Sequence, residues 1–290
     1  MRFASPVAEL VMRRRSCRKY REEPLPEGAR LALERFLATN RVGPFGSCAR
    51  FSLAAATAAD RSALRGLGTY GIIDGALAFI VGAVERGPRD LEDYGYLLEG
   101  AILLATDLGL ATCWLGGTFS KSGFARKISP AAGELMPAVA ALGRAADGNL
   151  EKDRIRRMAG SNSRRPPEEL FFEDAFGAPL SPLGAGPYAA ALEAVRWAPS
   201  ASNRQPWRVV RTDAGWHFHL ARTKGYGKGT LLFTVLRLAD LQRIDLGIAL
   251  CHFELAAREA GLDGSWVIED PGLAPPGAGI EYTATWRPAR

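Results

Sequence analysis

Residues 93–114 read DYGYLLEGAILLATDLGLATCW, and residues 245–266 read DLGIALCHFELAAREAGLDGSW. Laid side by side, the two stretches stay in register without a gap at an offset of 152 positions (93 to 245). Leu97, Leu98, Ala101, Leu104, Ala105 and Leu108 recur at helical spacing in the first, and Gly109 is a natural C-terminal cap. Apolar matches between two amphipathic helices arise by chance. Asp93/Asp245, Gly95/Gly247, Gly109/Gly261 and Trp114/Trp266 do not follow from amphipathicity, so the pattern points to an internal duplication. Two copies make a fused pair of similar folds rather than a solenoid. Proline and glycine concentrate in RRPPEELFFEDAFGAPLSPLGAGP (164–187), which places the junction there. The expected lobes are residues 1–172 and 173–290.

The flanking segments repeat a common programme. Ser5 and Pro6 suit the start of a helix running to about Arg15. A second helix is expected over 27–38, and buried strands over 76–84 and 137–143. The second half shows a helix over 187–196, strands near 206–211 and 216–221, and the long helix 245–260. This predicts an α+β protein, two α/β lobes packed through their long central helices.

With 290 residues, 47 % of them hydrophobic and 23 % charged, the chain is long and apolar enough to bury a sizeable core. Its net charge of +6 comes mainly from scattered arginines. The exceptions are Arg13-Arg14-Arg15 and the Arg154–Arg165 stretch, a distribution that suits local anion sites better than a nucleic-acid-binding face. Cys17, Cys48, Cys113 and Cys251 have no metal-binding spacing and read as reduced thiols. The N-terminus lacks the apolar core of a signal peptide, and apolar runs such as GALAFIVGAV are about half the ~20 residues that cross a bilayer. A soluble cytoplasmic protein is expected, with no membrane or nucleic-acid partner.

Four stretches carry candidate chemistry. RWAPSASNRQPWRVV (196–210) crowds short hydrogen-bonding side chains onto one turn that runs straight into a strand. RRRSCRKY (13–20) sets guanidinium groups on both sides of Ser16, where a planar fork and a hydroxyl can grip an anion. Taken alone, a solvated basic helix end explains it better. GLATCWLGGTF (109–119) ends in paired glycines, which let backbone N–H groups approach a flat ligand, or simply make a turn. SRRPPEEL (163–170) adds two arginines on a proline-stiffened segment.

Together these stretches resemble the nitroreductase family of flavin-dependent oxidoreductases, which bind FMN at a dimer interface. The resemblance implies that Arg14, Arg15, Ser16 and Arg18, with Arg164, hold the FMN phosphate. It implies that Leu115, Gly116 and Gly117 present backbone N–H groups near the flavin N5. It also implies that Pro199, Ser200, Ala201, Asn203 and Gln205 meet the ring and ribityl chain from the other side. An ordinary family member is about 200 residues long and carries every motif once, whereas this chain divides them between its halves. The first-half counterpart of the turn, LATNRVGPFGS, keeps Asn40 and Pro44-Phe45 but lacks the serine and glutamine, and Trp266 is followed by VIED instead of glycines. The resemblance therefore implies a covalent pseudo-dimer, one site kept and its twin degraded, acting as a monomer with one FMN. The implied activity is ping-pong hydride transfer from NADH or NADPH to a small-molecule acceptor such as a nitroaromatic or quinone, with no side-chain acid or nucleophile. The alternative is a non-catalytic FMN- or ligand-binding protein on the same fold.

Three further features are weaker. KGYGKGT (224–230) does not fit a phosphate loop and opens no clear helix. His217 and His219 share one face of a strand with no third ligand in view, so no metal is expected. His252, on an apolar helix, reads as a core residue.

Overall fold

The two central helices, Asp90–Asp107 and Leu241–Glu259, cross at the middle of the molecule in a computed structural model that describes residues 1–57, 59–117, 119–146, 158, 160, 163–226 and 238–289. Each begins a turn or less before the expected start. A Cβ on Gly95 would lie 2.3 Å from the carbonyl oxygen of Ile244, and one on Gly247 would lie 2.0 Å from that of Glu92. The matched glycines are thus the points where the two backbones touch, and no other residue permits so close an approach. Burial extends nearly all round the first helix and takes Asp90, Glu92, Asp93 and Glu99 inside with it.

A five-stranded antiparallel sheet flanks the helices on the first-lobe side. Its strands are β1 (Ala49–Ala55), β2 (Ala78–Glu85), β3 (Ala111–Leu115), β4 (Glu134–Leu135) and β5 (Val139–Gly143), in the order β1–β2–β5–β3 with β4 beside β2. The unbroken apolar run of β2 follows from cover on both faces. Ile80 and Val84 face the central helices, while Phe79, Val81 and Ala83 join a second core with Phe124 of the Lys121–Ile128 helix.

The second sheet runs β6–β7–β8–β10–β9, from β6 (Phe171–Glu173), β7 (Trp207–Thr212), β8 (Gly215–Ala221), β9 (Gly264–Val267) and β10 (Ile280–Pro288). β6 pairs parallel with β7 and straddles the 172/173 boundary read from the sequence. An aromatic cluster of Trp216, Phe218, Phe253, Trp266 and Trp286 fills the space between this sheet and the second central helix.

The N-terminal helix is shorter than its sequence suggests, spanning Val7–Arg13. Pro6 stays extended (φ −57°, ψ 141°), so the first turn is capped from a distance. The Glu259 carboxylate accepts the Val7 N–H at 2.9 and 3.0 Å, and Asp107 accepts those of Ala4 and Ser5 at 2.6 and 3.0 Å. Asp107 and Glu259 occupy matched positions at the ends of the two central helices. The helix stops at Arg13 because the chain becomes extended at Arg14 and Ser16 pairs parallel with Thr112 of β3. Residues 227–230 of KGYGKGT and residues 154, 156 and 157 of the second arginine cluster lie outside the described residues.

Candidate functional site

Pairing of Ser16 with Thr112 carries Ser16 and Arg18 toward the end of β3, where Trp114 and Gly116 stand. From the other lobe, the turn after the Ala189–Trp197 helix reaches the same place. Between them lies a cavity of about 130 Å³. Its first-lobe wall is Ser16, Arg18, Trp114, Gly116 and Ala138; its second-lobe wall is Pro199, Ser200, Ala201 and Ser202 with Leu241, Ile244, Asp245 and Ile248. The lining therefore mixes the polar Ser16, Arg18, Ser200, Ser202 and Asp245 with the indole of Trp114 and the aliphatic side chains of Leu241, Ile244 and Ile248.

The turn is held in a strained form. Ser202, Asn203 and Gln205 have φ of 51°, 53° and 50°, a left-handed conformation that costs non-glycine residues on the order of 1 kcal/mol each. Asp245 accepts the Ala201 N–H at 3.0 and 3.1 Å, the Ser200 hydroxyl accepts the Gln205 N–H at 2.9 Å, and the Ser202 and Tyr226 hydroxyls are 3.2 Å apart. Burial pushes the Asp245 carboxyl well above the usual range, opposed by the Ala201 N–H.

The Asn203 and Gln205 side chains do not face this cavity, contrary to expectation. Asn203 Nδ2 donates to the carbonyls of Gly160 (2.8 Å) and Ser163 (3.0 Å), its Oδ1 accepts from Arg164 at 3.3 Å, and Gln205 Oε1 accepts the Arg165 N–H at 2.8 Å. A carboxamide offers both donor and acceptor, and here both serve Gly160, Ser163, Arg164 and Arg165, residues outside any helix or strand. Arg164 is fixed over the Trp197 ring, 4.9 Å from its centre.

Arg14 also departs from the reading. Its guanidinium is buried, with Nε 3.8 Å from Glu99, and it borders a separate cavity of about 180 Å³ together with Arg13 and Arg15. Burial lowers its pKa and Glu99 opposes the shift. Leu115 packs in the core beneath the first sheet. Gly116 and Gly117 are covered: a Cβ there would come within 2.6 Å of Leu241 and 3.0 Å of Leu238. The lining residues missed by sequence reasoning are Trp114, Ala138, Ser202 and the helix-borne Leu241, Ile244, Asp245 and Ile248. Asp245 and Trp114 had a signal, their matches with Asp93 and Trp266.

A family model described as "Putative TM nitroreductase" matches residues 6–257. The chain belongs to this nitroreductase family. A "putative nitroreductase" structure from Thermotoga maritima is 21 % identical, covers 99 % of this chain and 95 % of its own, and superposes with a TM-score of 0.57, a likeness of fold. A nitroreductase family protein from Clostridium difficile is 19 % identical, covering 58 % of this chain and 96 % of its own at a TM-score of 0.41. A "putative nitroreductase" in complex with FMN from Desulfovibrio desulfuricans is 24 % identical, covering 56 % and 92 % at 0.40. A comparison with curated proteins finds no match. Among the described residues no helix is long and apolar enough to cross a membrane.

Within this nitroreductase chain the pseudo-symmetric counterpart of the cavity is built differently. Asp93 accepts the N–H groups of Phe45 (2.9 Å) and Ser47 (2.8 Å), as Asp245 does for Ala201. Arg89 stands at the position matching Leu241 and donates to the Tyr282 carbonyl at 3.3 Å, and exposed Ile268 stands at the position matching Gly116. Elsewhere, both ring nitrogens of His217 meet threonine hydroxyls, those of Thr212 and Thr285, at 2.8 Å.

Proposed function

We propose that this chain is an FMN-dependent oxidoreductase of nitroreductase type that assembles its one site from both of its halves. The observation that carries the reading is the cavity itself, where Ser16, Arg18 and Gly116 of the first half meet Pro199, Ser200 and Ala201 of the second. In chemistry these residues fit the cofactor: a cation and hydroxyls can take its anionic group, and an indole with branched aliphatic side chains can take its flat ring. In volume the cavity is below the roughly 300 Å³ at which ligand sites begin. Leu241 and Leu238, both half-buried, turn off the glycine pair when the site is loaded.

Ser16 and Arg18 hold the anionic end. Arg164, fixed by Asn203 and Trp197, supports it from the junction, and Gly116 and Gly117 direct backbone N–H groups toward the ring. When bound there, FMN would supply the hydride chemistry, taking electrons from NADH or NADPH and passing them to a nitroaromatic, quinone or related acceptor. Asp245 sets the turn and Trp114 forms the wall that excludes water. Lobes divided near residue 172, a monomeric state and a cytoplasmic location accompany this reading, because the central helices occupy the surface through which single-lobe relatives would pair.

The leucines over the glycine pair favour a second reading, a ligand-binding protein without turnover. Anaerobic mixing of the FMN-loaded chain with NADH or NADPH separates the two. Rapid bleaching of the flavin absorption followed by recovery on adding a quinone supports the enzyme. Persistent colour, with one FMN bound per chain, supports the binding protein, and no FMN bound at all removes both.

A further inference from the structure

We propose that Glu99 and His252 share one buried proton across the contact between the central helices, and that this pair is the positioning couple of the cavity, fixing Trp114 as its wall. Both side chains are fully buried, one on each helix. Glu99 Oε2 accepts the Trp114 indole N–H at 2.7 Å, and an indole only donates. His252 Nδ1 lies 3.0 Å from the Ala194 carbonyl oxygen, which only accepts, so Nδ1 carries its hydrogen. The remaining contact, Glu99 Oε1 to His252 Nε2, measures 2.9 Å. At that distance two lone pairs repel, so a proton lies between them.

The proton can reside on either side, as a carboxylic acid donating to imidazole or as imidazolium donating to carboxylate. The pair is neutral overall in both cases, and Arg14 Nε lies 3.8 Å from the same Glu99 oxygen, Oε1. Arg15 and Cys113 lie on the Arg14 side. Cys251, Glu254 and the N-terminal amine lie on the helix side, where burial pushes the Cys251 thiol up. Glu254 is taken by Tyr96, Trp266 and Arg258.

That last set is the internal control. Trp266, the match of Trp114, donates to Glu254 at 2.7 Å, so the indole–carboxylate device occurs in both lobes. There the other carboxylate oxygen meets half-exposed Arg258 at 2.8 Å, an ordinary ion pair. A histidine from the opposite lobe completes the device only where the cavity lies.

The proton assignment stands on this geometry alone; its effect on FMN rests on the function proposed above. In the cofactor-free chain labelled with ¹⁵N-histidine, with the His252 signals assigned by their loss in His252→Gln, a protonated Nδ1 is expected. A bare Nδ1 with the hydrogen on Nε2 overturns the proposal, and this measurement on the unmodified sequence holds even if every Glu99 variant fails to fold. FMN affinity by fluorescence quenching should fall about tenfold in Glu99→Ala, which leaves the Trp114 indole N–H without its acceptor. It should stay near the parent value in Glu99→Gln, whose amide still accepts from Trp114 and donates to His252. An unchanged affinity in Glu99→Ala, or an equal loss in Glu99→Gln, overturns the positioning role. Absence of FMN binding ends the proposed function and leaves the NMR result to decide the proton.

Discussion

Asp93 and Asp245 stand at matched positions on the two central helices, and each uses its carboxylate to hold the turn of its own lobe by backbone N–H groups. The device is duplicated, while only the Asp245 turn lines the cavity. Duplicated scaffolding with unequal sites is what a fused pair permits, because the two turns are free to diverge once a single site suffices.

Replacing Asp245 separates its two properties. Asp245→Ala strands the Ala201 N–H and should cost about 1–3 kcal/mol. Asp245→Asn keeps an acceptor and removes the buried ionisable group. Because burial raises this carboxyl, its folded state favours the proton, and that stabilisation is lost as pH rises through the folded pKa. The Asn variant should therefore match or exceed the parent at pH 8 and lose its advantage at pH 5, as urea unfolding at both pH values would show. An Asn variant as unstable as the Ala variant at pH 8 contradicts the assignment.

The glycine pair at the helix crossing gives a sharper test. Gly95→Ala and Gly247→Ala force a methyl group against backbone and should each destabilise by about 1–3 kcal/mol or more. Gly28, in the Glu27–Thr39 helix, has nothing within 4 Å of the place a methyl group would take. Gly28→Ala should stabilise by roughly 0.5–1 kcal/mol. Thermal melts showing the same effect at all three positions would refute the close-approach explanation.

Arg18→Ala tests the proposed phosphate contact in the cavity. Loss of charge-assisted hydrogen bonds worth about 1.5–3 kcal/mol should weaken FMN roughly ten- to hundredfold. Riboflavin, which lacks the phosphate, should be little affected. Equal losses for the two ligands in parallel fluorescence titrations would move Arg18 away from the phosphate.

The second sheet should be sensitive to acid. Burial holds His219 down at about 4, and it lowers His217 as well. Folded-state values below the unfolded 6.5 mean that the unfolded chain takes up protons first, so stability falls as pH drops from about 6.5 toward 4. For His219 the total is about 3 kcal/mol. His219→Phe, placed between Phe176 and Tyr282, should flatten part of that decline. A chemical-denaturation series in which parent and variant decline in parallel would show that the acid sensitivity lies elsewhere.

The sequence by itself determined the duplication, the central helices, the β2 and β5 strands and the motifs that meet in the cavity. These are legible because helical periodicity, apolar runs and matched glycines are local signals that survive in any partner context. β1, whose burial does not alternate cleanly, the edge strand β9 and its neighbour β10 carry no such signal, and they appear only when a neighbouring strand supplies their hydrogen bonds. The tertiary structure alone decided where the polar side chains point. Arg14 turned inward because Glu99, on a helix far along the chain, lies 3.8 Å away. Asn203 and Gln205 bound Gly160, Ser163 and Arg165, and Leu241 settled on Gly116, because the fold brought those groups within reach. A hydrogen bond acts over about 3 Å, and which two residues come that close is fixed by packing rather than by spacing along the chain.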